Sequence, residues 1–157
     1  MKDKDQQFYD SIKEFYELDK DSIFLVTSKA IIVENENILV LKASVGEKKY
    51  TLPGGLVEYN ESLEECLHRE VLEETNLKVK ILDVYNAGDF HRDRKFLFKD
   101  GRKCNNHLVE IHYLCEKISG VIKLDWEHEH FKWVNQDNYQ EFEYFPTTED
   151  SIFKYFK

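Results

Sequence analysis

Residues 55–77 read GLVEYNESLEECLHREVLEETNL and carry seven acidic side chains: Glu58, Glu61, Glu64, Glu65, Glu70, Glu73 and Glu74. Ser62 and Glu65 have the spacing of a capping box, in which a hydroxyl takes an orphan N–H at the helix start while a carboxylate reaches back. From Ser62 to Thr75 there is no Gly or Pro, so local propensity allows almost four turns of helix. Asn76 suits the left-handed residue that ends it. At about 100° per residue, Leu63, Cys66, Leu67 and Val71 share one stripe with Glu70 and Glu74, and Glu73 lies at its border. An amphipathic helix ordinarily turns its carboxylates away from the apolar stripe, toward water. Here Glu70, Glu73 and Glu74 stand at i, i+3 and i+4 where water is scarce, so like charges repel. A hard divalent cation that takes oxygen ligands, Mg²⁺ or Mn²⁺, would relieve that repulsion.

The same residues resemble the signature of the Nudix hydrolases. That signature runs Gly, five residues, Glu, seven residues, Arg-Glu, an aliphatic, any residue, Glu-Glu, any residue, Gly, an aliphatic. The chain supplies Gly55, Glu61, Arg69-Glu70, Val71, Glu73-Glu74 and Leu77, with Asn76 in the place of the second glycine. Asn tolerates a positive φ better than most residues, so the departure leaves the acidic set intact. The resemblance implies an α/β fold, a Nudix-like α/β/α sandwich with a mixed β-sheet between helices. It also implies Glu70, Glu73 and Glu74 as metal ligands, with the carbonyl of Gly54 a further one. The implied reaction is attack of water on a phosphorus of a nucleoside diphosphate linked to another group.

A carboxylate must take the proton of that water. Two sources stay open: Glu70 itself, or a downstream loop glutamate, as in some family members. The loop candidate is the run 125–130, DWEHEH, ahead of Phe131-Lys132-Trp133-Val134. Glu127 is the first choice and Glu129 the second, against the plainer reading of a solvated loop before an edge strand. His128 and His130 lack cysteine partners for a zinc site. Arg69 is read as holding a glutamate in a ligand-ready rotamer rather than as a surface ion pair of little worth. Glu61 is read as bracing the glycine turn or a second metal.

The rest of the chain sets bounds. Its 157 residues, 41% hydrophobic and 14% aromatic, are enough for a genuine core. The division expected is an amphipathic N-terminal helix over 1–20, from the spacing of Phe8, Ile12, Phe15 and Tyr16, and one Nudix hydrolase domain over 21–157. A net charge of −9 argues against nucleic-acid and anionic-membrane binding, which favour a basic face. No apolar run suits a signal peptide or a span, so a cytoplasmic protein is expected. Cys66, Cys104 and Cys115 are odd in number with no Cys-x-x-Cys spacing and read as reduced structural thiols.

Strands are expected over 23–33 and 38–43 around a hairpin turn at 34–37, over 79–90, 107–116 and 131–134, with a long polar loop over 92–106 and a final helix from Pro146. Lys42, Lys48, Lys49, His91, Arg92, Arg94 and Lys95 are available to phosphates, and Tyr50, Phe90 and Tyr144 to a base, though surface charge and core packing explain them as well. Relatives that cleave ADP-ribose tend to carry a proline downstream of the box, and the chain has none between Pro53 and Pro146. The default partner is therefore a small-molecule nucleotide, a (deoxy)nucleoside triphosphate, oxidised ones included. The 92–106 loop would act as a specificity lid. Family habit leaves a homodimer open. A non-catalytic nucleotide-sensing module is the rival of a different class, disfavoured because every glutamate of the box is present. A structural calcium site lacks its spaced Asp/Asn loop.

Overall fold

The computed structural model describes Gln6, Gln7, Asp10 and residues 22–97 and 103–157. Gln6, Gln7 and Asp10 are helical, and Gln6 Nε2 donates to Asp10 Oδ1 one turn on at 2.9 Å. Phe8, Ile12, Phe15 and Tyr16 of the expected N-terminal helix lie outside the described residues. The chain forms two compact units, Met1–Phe24 with His91–His107 and Leu25–Phe90 with Leu108–Lys157. In the first, the rings of His91 and His107 stack 4.1 Å apart and His107 tilts against Phe24 at 4.9 Å. The second holds the sheet core, both long helices and the acidic cluster.

Among the described residues seven strands, β1 (Ser22–Glu34), β2 (Asn37–Ala43), β3 (Tyr50–Thr51), β4 (Gly54–Leu56), β5 (Lys78–Leu97), β6 (Lys103–Ser119) and β7 (His128–Val134), join one sheet. The order is β3-β2-β1-β6-β5, with β4 on β1 and β7 on β2. Helix α1 (Leu63–Thr75) follows β4, and α2 (Pro146–Phe156) closes the chain after a 3₁₀ turn at Tyr139–Glu141. The β1–β2 hairpin turns on Asn35 (φ 50°) and Glu36 (φ 62°), a two-residue connection whose left-handed residues match strand twist.

Both faces of the central strands are apolar, which is why a helix lies on each. Ala30 and Ile32 of β1 and Leu39 and Leu41 of β2 pack with Leu67 and Val71 of α1. The intervening Ile31, Ile38 and Val40 pack with Ile152 and Phe156 of α2. The period of two in the strands thus splits one apolar run between two cores, giving the expected α/β architecture of a mixed sheet between helices. Tyr50 and Tyr144 are buried in the α2-side core, which favours the packing reading of both.

The long polar loop over 92–106 is not found. β5 runs on to Leu97 and β6 begins at Lys103, so only residues 98–102 lie outside the described strands. Strand there escapes a hydrophobicity reading because the segment lacks the apolar alternation that marks a half-buried strand. β4 was also unforeseen: three residues pair with β1 through Thr27↔Leu56, Ser28↔Gly55 and Lys29↔Gly54, a partnership set by tertiary contact. No helix among the described residues is long and apolar enough to cross a membrane.

Candidate active site

The helix start is built as its sequence dictates. Ser62 Oγ accepts from the Glu65 N–H at 3.2 Å and Glu65 Oε2 accepts from the Ser62 N–H at 2.7 Å. At the other end Asn76 is left-handed (φ 59°) and its N–H donates to Leu72 O at 2.8 Å. Between these caps Cys66, Leu67, Val71, Glu74 and Thr75 are buried, so the acidic end of the stripe does turn inward.

Glu74 is 7% exposed, and its Oε2 accepts the Gly54 N–H at 2.8 Å. Burial pushes its carboxyl up to about 8; Lys29 and the Gly54 N–H pull it down, while Glu70 and Asp125 add to the rise. Lys29 reaches the same peptide by donating its ammonium to the Gly54 carbonyl. Gly54 therefore offers its N–H to a carboxylate and its carbonyl to a cation. Its φ of +128° and the space around it allow nothing larger, since an added Cβ would lie 2.1 Å from Ser28 O. A Cβ on Gly55 would meet the Glu70 carboxylate, 2.5 Å from Cδ.

Arg69 organises the outer side. Its guanidinium donates to Glu61 through Nε at 3.0 Å and Nη2 at 2.7 Å, to Glu70 Oε1 at 2.7 Å, to Leu56 O at 3.2 Å and more weakly to Glu73 Oε2 at 3.5 Å. The two-pronged pair with Arg69 holds Glu61 down at about 2. Glu61 Oε1 also accepts the Glu58 N–H at 2.6 Å, bracing the turn before the helix. Glu73 is the outlier of the acidic triplet, its side chain 60% exposed.

From the downstream run, His128 and Asp125 approach the cluster. His128 Nε2 lies 3.9 Å from Glu74 Oε1 and His128 Nδ1 pairs with Asp125 Oδ1 at 2.8 Å. Glu127 is exposed, its backbone carbonyl accepting from the Ser44 N–H and hydroxyl, both at 2.8 Å. Glu129 is taken by Lys42 at 3.2 Å and Lys48 at 3.0 Å, and Lys49 by Glu47 at 2.9 Å. Those lysines are thus paired on the surface. Cys66 and Cys115 are free and buried, and burial pushes both thiols up to about 12; the side chain of Cys104 lies outside the described residues. Lys29, Asp125 and the proximity of His128 to Glu74 escaped the sequence reading, because only strand pairing and loop closure bring them to Gly54 and Glu74.

Among the described residues no three His, Cys, Asp or Glu side chains converge as a ready metal cage; Arg69 and Lys29 hold the oxygens instead. The donor set nevertheless fits a hard divalent cation, being all oxygen. A carboxylate raised first by burial and then by its acidic neighbours is what a cation would stabilise.

The chain matches the NUDIX domain family over residues 25–156, and it belongs to that family. It is 34% identical over 115 residues to an ADP-ribose pyrophosphatase of Methanocaldococcus jannaschii, covering 68% of this chain and 61% of that protein. It is 28% identical over 91 residues to the nucleoside triphosphatase NudI of Escherichia coli, covering 57% and 64%. The chain thus spans less than two thirds of the length of either relative. Among solved structures, the MutT protein of Methanosarcina mazei Go1 aligns with a TM-score of 0.67 at 25% identity, covering 86% of this chain and 94% of that one. An Ap4A hydrolase of C. elegans aligns at 0.64 and 18% identity, covering 83% and 94%, a likeness of fold.

Proposed function

We propose that the protein is a metal-dependent hydrolase of phosphoric anhydrides, cleaving the diphosphate linkage of a nucleoside diphosphate joined to another group. The observation that carries this reading is the buried Glu74 carboxylate beside Glu70 at the Gly54-Gly55 turn. Glu70, Glu73, Glu74 and the Gly54 carbonyl would hold Mg²⁺ or Mn²⁺, with Glu73 swinging inward from the surface. The ion, when bound, withdraws charge from the phosphates and stabilises the leaving oxygen.

Glu70 is the base: it takes a proton from the water whose oxygen bonds phosphorus as the bridging P–O bond breaks. Glu127 is the alternative base, on a loop tethered to Ser44. Arg69 keeps Glu70 and Glu61 in place. The working domain is taken as residues 21–157, in a cytoplasmic protein that binds neither nucleic acid nor membrane. The substrate assigned is a (deoxy)nucleoside triphosphate, oxidised forms included. The ADP-ribose pyrophosphatase relative favours ADP-ribose as a second reading, despite the missing downstream proline.

The test is phosphate, pyrophosphate or nucleotide release from nucleoside triphosphates, oxidised nucleotides, ADP-ribose and dinucleoside polyphosphates, with and without Mg²⁺ or Mn²⁺. Metal-dependent release from the triphosphates is expected, and preference for ADP-ribose would select the second reading. Silence across the panel from folded protein would leave a nucleotide-sensing module.

A further inference from the structure

Thr27 Oγ1 and Ser28 Oγ are buried hydroxyls without a hydrogen-bond partner among the described residues, Thr27 being 4% and Ser28 0% exposed. Folding alone gives no reason to keep them, because an unpaired buried hydroxyl loses its water without compensation. They occupy opposite faces of β1. Ala30 and Ile32 pack toward α1 and Ile31 toward α2, so the strand period places Ser28 on the α1 face and Thr27 on the other.

Ser28 stands directly opposite Gly55 in the antiparallel β1–β4 pair. Opposed residues of such a pair project to the same face, with Cβ positions about 5 Å apart. The position of a Cβ on Gly55 is 2.5 Å from Glu70 Cδ and 2.6 and 2.7 Å from the two carboxylate oxygens. Ser28 thus shares with the Glu70 carboxylate the face of the strand pair that Gly55 leaves open. In the present arrangement Glu70 Oε1 accepts from Arg69 Nη1 at 2.7 Å.

We propose that Ser28 is a positioning residue for Glu70, its hydroxyl donating to that carboxylate when the carboxylate turns from Arg69 toward a divalent cation. The proposal rests on the reading of Glu70 as a metal ligand. A ligating carboxylate needs an outer partner to hold its orientation, and removing such a partner typically lowers metal affinity about 10–100-fold. The orphan hydroxyl thereby acquires a reason to be in the core, and the Gly55 requirement acquires a second one: the glycine leaves room for Glu70 between Arg69 and Ser28.

The experiment is titration of the full chain with Mn²⁺, followed by the electron paramagnetic resonance of the free ion, in wild type, Ser28→Ala and Thr27→Val, with thermal unfolding of each metal-free protein. Ser28→Ala is expected to unfold at the wild-type temperature or above, having lost an unpaired hydroxyl, while its Mn²⁺ dissociation constant rises about tenfold or more. Thr27→Val, on the other face, keeps wild-type Mn²⁺ affinity. If Ser28→Ala does not fold, Ser28→Cys, which keeps the side chain but donates weakly, is expected to show the same loss. A Ser28 variant that binds Mn²⁺ as wild type does overturns the proposal, and so does an equal loss in Thr27→Val, which would mark a general disturbance of β1. Wild-type protein that binds no Mn²⁺ overturns the ligand reading of Glu70 itself, a failure distinct from the first.

Discussion

At Glu74 a carboxylate sits where its charge is costly, held by one backbone N–H and raised to about 8 by burial and its acidic neighbours. Glu74→Gln keeps the shape and the acceptor for Gly54 while removing the charge. Metal-dependent turnover of the variant is expected to fall at least 100-fold, with a gain of about 1–3 kcal/mol in metal-free stability at pH 8; turnover at the wild-type rate would sink the ligand assignment. The adjacent glycines separate site from scaffold. Gly55→Ala places a methyl against the Glu70 carboxylate, the far end of a flexible side chain, so a folded but inactive protein is expected. Gly54→Ala sets a Cβ against backbone at positive φ, so loss of soluble folded protein is expected, and circular dichroism with unfolding curves distinguishes the two. Glu70 and Glu74 were legible in sequence because helical spacing puts them on the apolar stripe. Ser28 and Lys29 were not, since their relation to the site passes through the pairing of β1 with β4.

Helix α1 could be read almost to the residue because everything that bounds it is local: a capping box four residues long and a left-handed Asn76. Ser62→Ala is expected to cost about 1 kcal/mol by losing that cap. Asn76→Gly should be neutral within a few tenths of a kcal/mol, whereas Asn76→Ala should cost about 1 kcal/mol; chemical denaturation of the three variants checks the order. If Asn76→Ala proved as stable as Asn76→Gly, the left-handed cap would not be limiting. β5 and β6 gave the opposite experience. Their pairing is non-local, so 92–97 and 103–106 carry no strand signal in their own sequence. A signal was nonetheless present in β6, where Glu110 and His112 interrupt an otherwise apolar alternation. Both proved buried, joined to α2 through Thr147, which donates to Glu110 Oε2, and through Ser151, 2.6 Å from His112 Nδ1.

Among the described residues, one strongly perturbed buried carboxylate lies on each side of the sheet, and the two oppose each other in pH. Burial alone would raise Glu110, but hydrogen bonds from His112 and Thr147 and the charges of Lys29 and His112 outweigh it and bring the group to about 2. A carboxyl lowered on folding binds fewer protons than the unfolded chain, so its stabilisation is present above the ordinary carboxylate range and is lost as pH falls from about 4.5 toward 2. Glu61, held down by Arg69, acts in the same direction. Glu74 is raised, so the folded state binds the extra proton, and its stabilisation is lost as pH climbs from about 4.5 through 8. The buried Glu74 and Glu110 each contribute on the order of 3–5 kcal/mol, and the metal-free protein should therefore unfold at its highest temperature near pH 5. A cation coordinated by ionised Glu74 replaces that proton, so saturating Mg²⁺ should raise the unfolding temperature far more at pH 8 than at pH 5. Glu74→Gln should flatten the alkaline limb alone, and Glu110→Gln should weaken the acid limb while leaving the share of Glu61. Calorimetry across pH with chelator or Mg²⁺ checks all three, and an Mg²⁺ effect equal at pH 5 and pH 8 would mean that the ion does not compete with the Glu74 proton.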